Sequence, residues 1–313
     1  GDIRTLPANW RSSELIFMQN KTQRSNTLLS IIVPAFHCQE YLREGLDSVL
    51  GQLPDDCELI VVDDGSEDGT RDVLKTYEGR KEQLKIYYRE HQGTSAARNA
   101  GLDAAEGEYV AFMDCDDCLR EGFLKESLPL LASGGDLYIF GIERVLLDGI
   151  REETKLSDKT YRSVSDFADD YIRRRKFLFY SNCNKFYRRS IIEAGRIRFA
   201  EGFSFGEDRI FNYQFLPACQ NIVTSSCVML EYMQRSLTSL SSRHIPFYFD
   251  QVMKLHEAKM ECFLPLSKGT SEEEKKEFAA YDIETEIRKT TARFADHPEE
   301  IEENLPKIEA FQR

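Results

Sequence analysis

Three short clusters hold the residues best suited to chemistry: Pro34-Ala35-Phe36, Asp63-Asp64-Gly65-Ser66 and Asp114-Cys115-Asp116-Asp117. Adjacent carboxylates such as Asp63 and Asp64 can accept hydrogen bonds from the N–H of a base or from ribose hydroxyls. Asp-Gly-Ser is equally a common turn sequence and Asp68 a candidate helix cap, so this cluster alone decides nothing. In the third cluster, three acids in four residues repel one another unless a cation neutralises them. As hard oxygen ligands they suit Mg2+ or Mn2+ held against a diphosphate. The competing role is a solvated acidic helix start ahead of Arg120. A fourth stretch, Gly93-Thr94-Ser95-Ala96-Ala97-Arg98-Asn99-Ala100-Gly101, reads as a helix start whose amide groups and Arg98 favour an anion. The same small residues would also let a helix pack tightly on a sheet.

The pattern around these clusters says how they are positioned. Leu28 to Val33 is a β-branched apolar run ended by Pro34, which predicts a buried strand. A helix over Cys38–Leu50 follows, then a strand at Glu58–Val62, a helix from Asp68 to Tyr77 and a strand at Leu84–Tyr88. A helix over Thr94–Ala105, a strand at Tyr109–Met113 and a helix over Gly122–Ala132 continue the series. Such alternation specifies right-handed crossovers and an open parallel sheet, with ligands gathered at the carboxyl ends of its strands. All three acidic or polar clusters follow predicted strands, which favours the metal and nucleotide readings over the bland ones. The regular order ends where a strand over Asp136–Leu147 meets Asp148-Gly149, a hairpin turn signal. Beyond it the chain reads as α+β, with helices near Val164–Arg175 and Glu207–Leu216 and an extended stretch at Ile222–Met233. Helices are expected at Phe249–Phe263, Ser271–Arg293 and Glu299–Phe311. The expected division is an N-terminal segment 1–27, a first half 28–135 with the clusters at its strand ends, an α+β half 136–248, and a helical extension 249–313.

Composition limits the partners. A formal net charge of -13 on 313 residues repels nucleic acid and anionic bilayers, so an anionic ligand has to be held locally. The acidic run Glu272-Glu273-Glu274 is expected to be a solvated helix face. Eight scattered cysteines without paired CxxC spacing fit reduced thiols of a cytoplasmic protein. No apolar run approaches the ~20 residues that span a bilayer. Contact with the inner face of a membrane stays open, as does oligomeric state.

In order and spacing, Ser30-Ile31-Ile32-Val33-Pro34-Ala35-Phe36, Val61-Val62-Asp63-Asp64-Gly65-Ser66, Ala96-Ala97-Arg98-Asn99-Ala100-Gly101, Ala105-Glu106-Gly107-Glu108-Tyr109 and Phe112-Met113-Asp114-Cys115-Asp116-Asp117 resemble the family 2 glycosyltransferases of GT-A fold. Asn184-Lys185-Phe186-Tyr187-Arg188-Arg189 resembles that family's acceptor-side segment, and Gly206-Glu207-Asp208-Arg209 its Glu-Asp motif. The resemblance implies an α/β fold with a mostly parallel, Rossmann-like sheet, an α+β acceptor half and a C-terminal helical extension. It implies transfer of a sugar, with inversion, from a nucleotide-diphosphate donor such as a UDP-sugar to a hydroxyl of a glycan or lipid-linked glycan, in surface polysaccharide synthesis. By the same resemblance Pro34 and Ala35 line the donor site beside Arg98, Asp63 and Asp64 contact base and ribose, and Asp114 contacts ribose or donor sugar. Asp116 would bind Mn2+ or Mg2+, and Asp208 would be the catalytic base. Tyr232-Met233-Gln234-Arg235 resembles a later motif with looser spacing. It makes Arg235 a diphosphate contact and His244 a second metal ligand, although for a lone histidine a structural role stands ahead. The competing class is a non-catalytic nucleotide-sugar-binding module on the same fold. A dinucleotide oxidoreductase is excluded because no GxGxxG follows the first strand.

Overall fold

The computed structural model describes residues 27–175, 178–201, 205–235, 245 and 247–311. Most of the N-terminal segment, and the stretch holding His244, lie outside them.

Strands β1 (Leu29–Ala35) and β2 (Cys57–Asp64) are buried along their whole length, as apolar runs covered on both sheet faces must be. With β3 (Leu84–Arg89) and β4 (Tyr109–Phe112) they form a parallel unit ordered β3-β2-β1-β4. The sheet continues through β9 (Lys185–Arg188), antiparallel to β4 and to β6 (Leu137–Val145). Beyond β6 lies β10 (Ile222–Met233), parallel to it, and then the two-residue β5 (Cys118–Leu119). The predicted hairpin is present: β7 (Arg151–Thr154) returns against β6 across the Asp148-Gly149 turn, and β8 (Lys159–Tyr161) pairs with β10. The fold is α/β with a mixed sheet, parallel in its N-terminal half.

The helices of that half are α1 (Leu42–Leu50), α2 (Thr70–Lys75) and α3 (Thr94–Ala104). Helix α1 starts four residues later than expected. The intervening Cys38 spends its amide on Thr70 Oγ1 and thereby ties the β1 tip to α2. The cap position of α2 falls to Gly69, and Asp68, one residue before it, accepts the amide of Thr70 at 3.0 Å and so is not the cap itself. Helix α3 lies close against β1 because Gly101 has no side chain; a Cβ there would stand 2.3 Å from Ile32 Cγ2. The helix expected over Gly122–Ala132 is shorter, with α4 (Phe123–Ser127) giving way to a 3-10 turn at Leu128–Ser133, where Pro129 interrupts the α-helical ladder.

The second half adds α5 (Val164–Arg174), α6 (Arg189–Gly195) and α7 (Glu207–Phe215), and the extension adds α8 (Tyr248–Leu266), α9 (Glu272–Arg293) and α10 (Ile301–Phe311). Ser271 and Glu274 close a reciprocal capping box at the start of α9, which accounts for one glutamate of the acidic run. One contiguous core joins the halves. At its centre Phe112, the last residue of β4, meets Phe199 and Phe211 edge-on at 5.0 and 5.7 Å. Phe211 lies one turn beyond Asp208 on α7, and Phe112 two residues before Asp114. This aromatic contact therefore brings the N-terminus of α7 to the end of β4. No described helix is long and apolar enough to cross a membrane.

Candidate active site

The tips of β1, β2 and β4 stand side by side, since Ala35 is in register with Asp63 and Ile32 with Phe112. Pro34 and Ala35 therefore border Asp63 as expected. Asp63 is fully buried and accepts Arg71 Nε at 2.7 Å. Asp64, also buried, accepts the amides of Gly93 at 2.7 Å and Gln92 at 3.1 Å and pairs with His91 Nδ1 at 2.8 Å. The two carboxylates thus fix the loops around the tips, and Asp64 in particular anchors the loop that starts α3. Gly65 allows this: its φ is +77°, and a Cβ would come within 2.6 Å of the His91 amide. Phe36 is half exposed at the same place, its ring stacked between His37 at 3.9 Å and His91 at 4.1 Å. This aromatic face was not singled out from the sequence, and only the position of Phe36 after the first strand could have signalled it.

Arg98 connects the two halves. From the first turns of α3 its Nη2 reaches Asp114 at 2.8 Å and its Nη1 reaches Glu207 at 2.8 Å, with the side chain almost wholly buried. Burial opposes its charge, but Asp114, Glu207 and Asp208 together with the Cys183 sulfur outweigh that and hold the guanidinium protonated. Its Nε has no protein partner. Next to Glu207 stands Asp208, partly open to solvent yet densely surrounded, as at the floor of a cleft. Burial first, then the charge of Glu207, pushes its pKa up to about 6, while Arg98, Arg209 and the Arg209 amide pull it down. Asp114, Arg98, Glu207 and Asp208 are thus one cluster. Glu207 is a member that local sequence pattern did not assign a role.

The acidic loop is under electrostatic stress. Burial and then the charge of Asp114 raise the pKa of Asp116, opposed by Arg235. Asp117 is buried and raised well above the usual carboxylate range, first by burial and then by Asp114 and Asp116. Its Oδ1 accepts the Met233 amide at 3.0 Å, whereas its Oδ2 has no partner. An orphaned carboxylate oxygen among mutually repelling acids fits a divalent cation held by oxygen ligands. Among the described residues no three His, Cys, Asp or Glu side chains converge as metal ligands, so phosphate oxygens would have to complete such a shell. Arg120 does not belong to this cluster and pairs with Glu153 instead. Arg235 does belong: its Nε donates to the Asp116 carbonyl at 3.0 Å and its Nη2 to Glu44 at 2.7 Å. His244 lies outside the described residues.

On the acceptor side the Asn184-Lys185 segment organises the loop before it. Lys185 is fully buried, and its Nζ donates to the Leu178 carbonyl and Asn184 Oδ1, each at 2.8 Å, and to the Ser181 carbonyl. Asn212 on α7 donates to the Phe179 and Ser181 carbonyls and accepts the Tyr187 hydroxyl. The strand β9 that carries Lys185 was not foreseen. A four-residue strand with a buried lysine has neither the length nor the apolar run that would reveal it.

A parallel-led α/β sheet with an acidic loop and a basic residue converging at its strand tips defines a nucleotide-diphospho-sugar transferase fold of GT-A type. The profile of Glycosyl transferase family 2 matches residues 30–196. The chain belongs to that family. It is 28% identical to EpsH of Bacillus subtilis over 236 residues, covering 73% of this chain and 67% of EpsH. It is 32% identical over 200 residues to TarP, a poly(ribitol-phosphate) beta-N-acetylglucosaminyltransferase of Staphylococcus aureus, covering 62% of this chain and 58% of TarP. The crystal structure of S. aureus TarS residues 1–349 in complex with UDP-GlcNAc superposes with a TM-score of 0.65 at 23% identity, over 82% of this chain and 72% of that one. The likeness to TarS is one of fold.

Proposed function

We propose that the protein is an inverting, metal-dependent glycosyltransferase that moves a sugar from a nucleotide-diphosphate donor, a UDP-sugar, to a hydroxyl of a glycan or lipid-linked glycan in surface polysaccharide synthesis. Residues 28–135 form its donor half and 136–248 its acceptor and catalytic half, followed by the helical extension 249–313; the enzyme works in the cytoplasm. The observation that carries this reading is the single buried guanidinium of Arg98, shared by Asp114 from the donor half and Glu207 beside Asp208.

In this reading Asp63 and Asp64 shape the base and ribose subsite, with His91, backed by Phe36, offering its outer face as the flat surface on which a base stacks. Asp114 receives the ribose or donor sugar, and Arg235 approaches the diphosphate from the far side of the acidic loop. Asp116 and the unpaired oxygen of Asp117 would hold Mn2+ or Mg2+, which when bound offsets charge on the leaving diphosphate. Asp208 takes the proton from the acceptor oxygen as that oxygen attacks the anomeric carbon from the face opposite the leaving group, so configuration inverts. Its raised pKa, near 6, keeps it basic enough for that task yet ionised at neutral pH.

A thermal-shift screen of nucleotide sugars with and without Mn2+ tests the donor assignment. The donor that stabilises the protein should also release nucleoside diphosphate slowly in a Mn2+-dependent manner. Stabilisation by every donor without Mn2+ would remove the metal from the reading, and no response to any nucleotide sugar would remove the reading itself.

A further inference from the structure

A cavity of about 430 Å³ lies beside Asp208, walled on one side by α8 and α9, which fall beyond the segment that the family profile matches. Arg209, the residue after Asp208, lines it, as does half-exposed Tyr180, whose hydroxyl feels the charges of both. The volume suits a sugar-sized group.

Its charge runs against that of the chain. The walls carry Lys155, Arg175, Arg209, Lys259 and Lys289 against two carboxylates, Asp282 and Glu286, in a protein of formal net charge -13. Both acids are already engaged: Asp282 by His256 at 2.7 Å and Lys259 at 2.5 Å, Glu286 Oε1 by Lys289 at 2.9 Å. The two guanidiniums lie over rings, Arg175 over Tyr281 at 4.6 Å and Arg209 over Phe205 at 5.4 Å, without a tight acid partner. Arg209 comes no nearer than 3.8 Å to Glu286, Arg175 no nearer than 3.8 Å to Glu277, and neither has a closer carboxylate among the described residues. A guanidinium in a partly desolvated wall without a tight acid partner favours a phosphate, which its planar fork can grip with two hydrogen bonds.

Tyr180, half exposed, adds an aromatic face against which the C–H side of a sugar or polyol packs.

We propose that this cavity binds the acceptor beyond its reacting hydroxyl and selects an acceptor bearing a phosphate ester, held by the guanidiniums of Arg175 and Arg209 in its wall. The assignment rests on the glycosyl-transfer reading, because Asp208 defines which end of the acceptor reacts. Arg175 lies within the segment that the family profile matches, whereas Arg209 and the α8–α9 wall lie beyond it.

Calorimetric titration of the full chain, with UDP and Mn2+ saturating the donor site, tests it using glucose 1-phosphate and methyl glucoside as probes. Glucose 1-phosphate should bind at least about tenfold more tightly than methyl glucoside, and Arg175→Gln should abolish most of that advantage. Arg209→Gln should reduce it as well. UDP binding with Mn2+, unchanged in each variant, shows that the donor half is folded. Equal binding of the two probes, or an Arg175→Gln variant with unaltered preference, overturns the proposal. If UDP fails to bind the wild-type chain while glucose 1-phosphate still depends on Arg175, the donor reading falls and the phosphate site stands. A glycerol-phosphate oligomer and a micellar prenyl-diphosphate sugar separate a polymer from a lipid carrier as the source of the phosphate. Failure of both to bind in an Arg175-dependent way overturns the assignment to acceptors.

Discussion

Asp208 links the proposed chemistry to a number. As general base it must be ionised, and its pKa is raised to about 6, chiefly by burial and then by Glu207. One pH unit lower, at about pH 5, roughly a tenth of the molecules carry the charge, so kcat/KM should fall about tenfold per unit below the inflection. The same shift has a stability consequence of opposite use. The unfolded carboxyl ionises near 4, so between about pH 4 and 6 the unfolded chain holds fewer protons than the folded one, and folding weakens as pH rises through that window. The ceiling on this cost is about 3 kcal/mol at neutral pH, lowered by the partial solvent access of the side chain. Asp208→Asn should therefore cut transfer by roughly 10²- to 10⁴-fold while raising the urea midpoint at pH 7.5 and leaving it unchanged near pH 4. Nucleotide binding should stay intact. Glu207→Gln should move the kinetic inflection to lower pH, since it removes the second cause of the shift. A pH profile of kcat/KM, alongside urea titrations of wild type and Asp208→Asn, checks all of this. A profile flat to pH 4.5, or an Asp208→Asn enzyme with normal turnover, refutes the base assignment. A variant that is inactive and also less stable at pH 7.5 would instead make Asp208 a structural residue.

Three further outcomes follow from the packing and charge. With Mn2+ and UDP at about a hundred times their dissociation constant, the expected stabilisation is ~2.7 kcal/mol; Asp116→Ala or EDTA should remove most of it, whereas Asp117→Asn, which relieves a buried charge, should stabilise the metal-free protein and lose only the metal response, as read by thermal shift. Gly101→Ala should cost roughly 1–3 kcal/mol in urea titration, because the clash with Ile32 Cγ2 outweighs the gain in helix propensity; an unchanged or higher midpoint would show that α3 can move away from β1. Burial lowers the pKa of Lys185 to about 7, so the unfolded chain holds more protons between about pH 7 and 10.5 and this group makes folding more favourable as pH rises there. Lys185→Met should flatten that trend between pH 7 and 9 and, by stranding the carbonyls of Leu178 and Ser181, lower stability by about 1–3 kcal/mol.

The donor half was legible because its signals are local. A β-branched run ending in Pro34, acids directly after β2 and β4, and small residues opening α3 each follow from periodicity or turn chemistry within a dozen residues. What escaped notice depends on distance along the chain. Arg98 and Glu207 are 109 residues apart, and neither residue's neighbourhood announces the other. Phe36 gains its meaning only when His91, from the loop after β3, stacks on it. Strands β5 and β9 exist because β10, β4 and β6 offer edges to pair with, not because Cys118–Leu119 or Lys185–Arg188 would be extended alone.

That difference bears on how specificity is divided in the molecule. In the proposed reading, the elements that recognise a base, a ribose and a diphosphate sit on strand tips whose geometry is set by sheet register and short turns of chain. The groups around the acceptor come from α5, α7, α8 and α9, which meet only in the tertiary fold. Asp208 stands at the seam, on a helix whose start is fixed to the donor half by Phe211 against Phe112 and by Glu207 on Arg98. Asp208 is held from the extension as well, since Leu255 of α8 packs on Gly206 at the start of α7, where a Cβ would stand 2.5 Å from its Cδ1. In the proposed reading a change of acceptor therefore requires new side chains at positions such as Arg175, whereas a change at Leu255 would also shift Asp208.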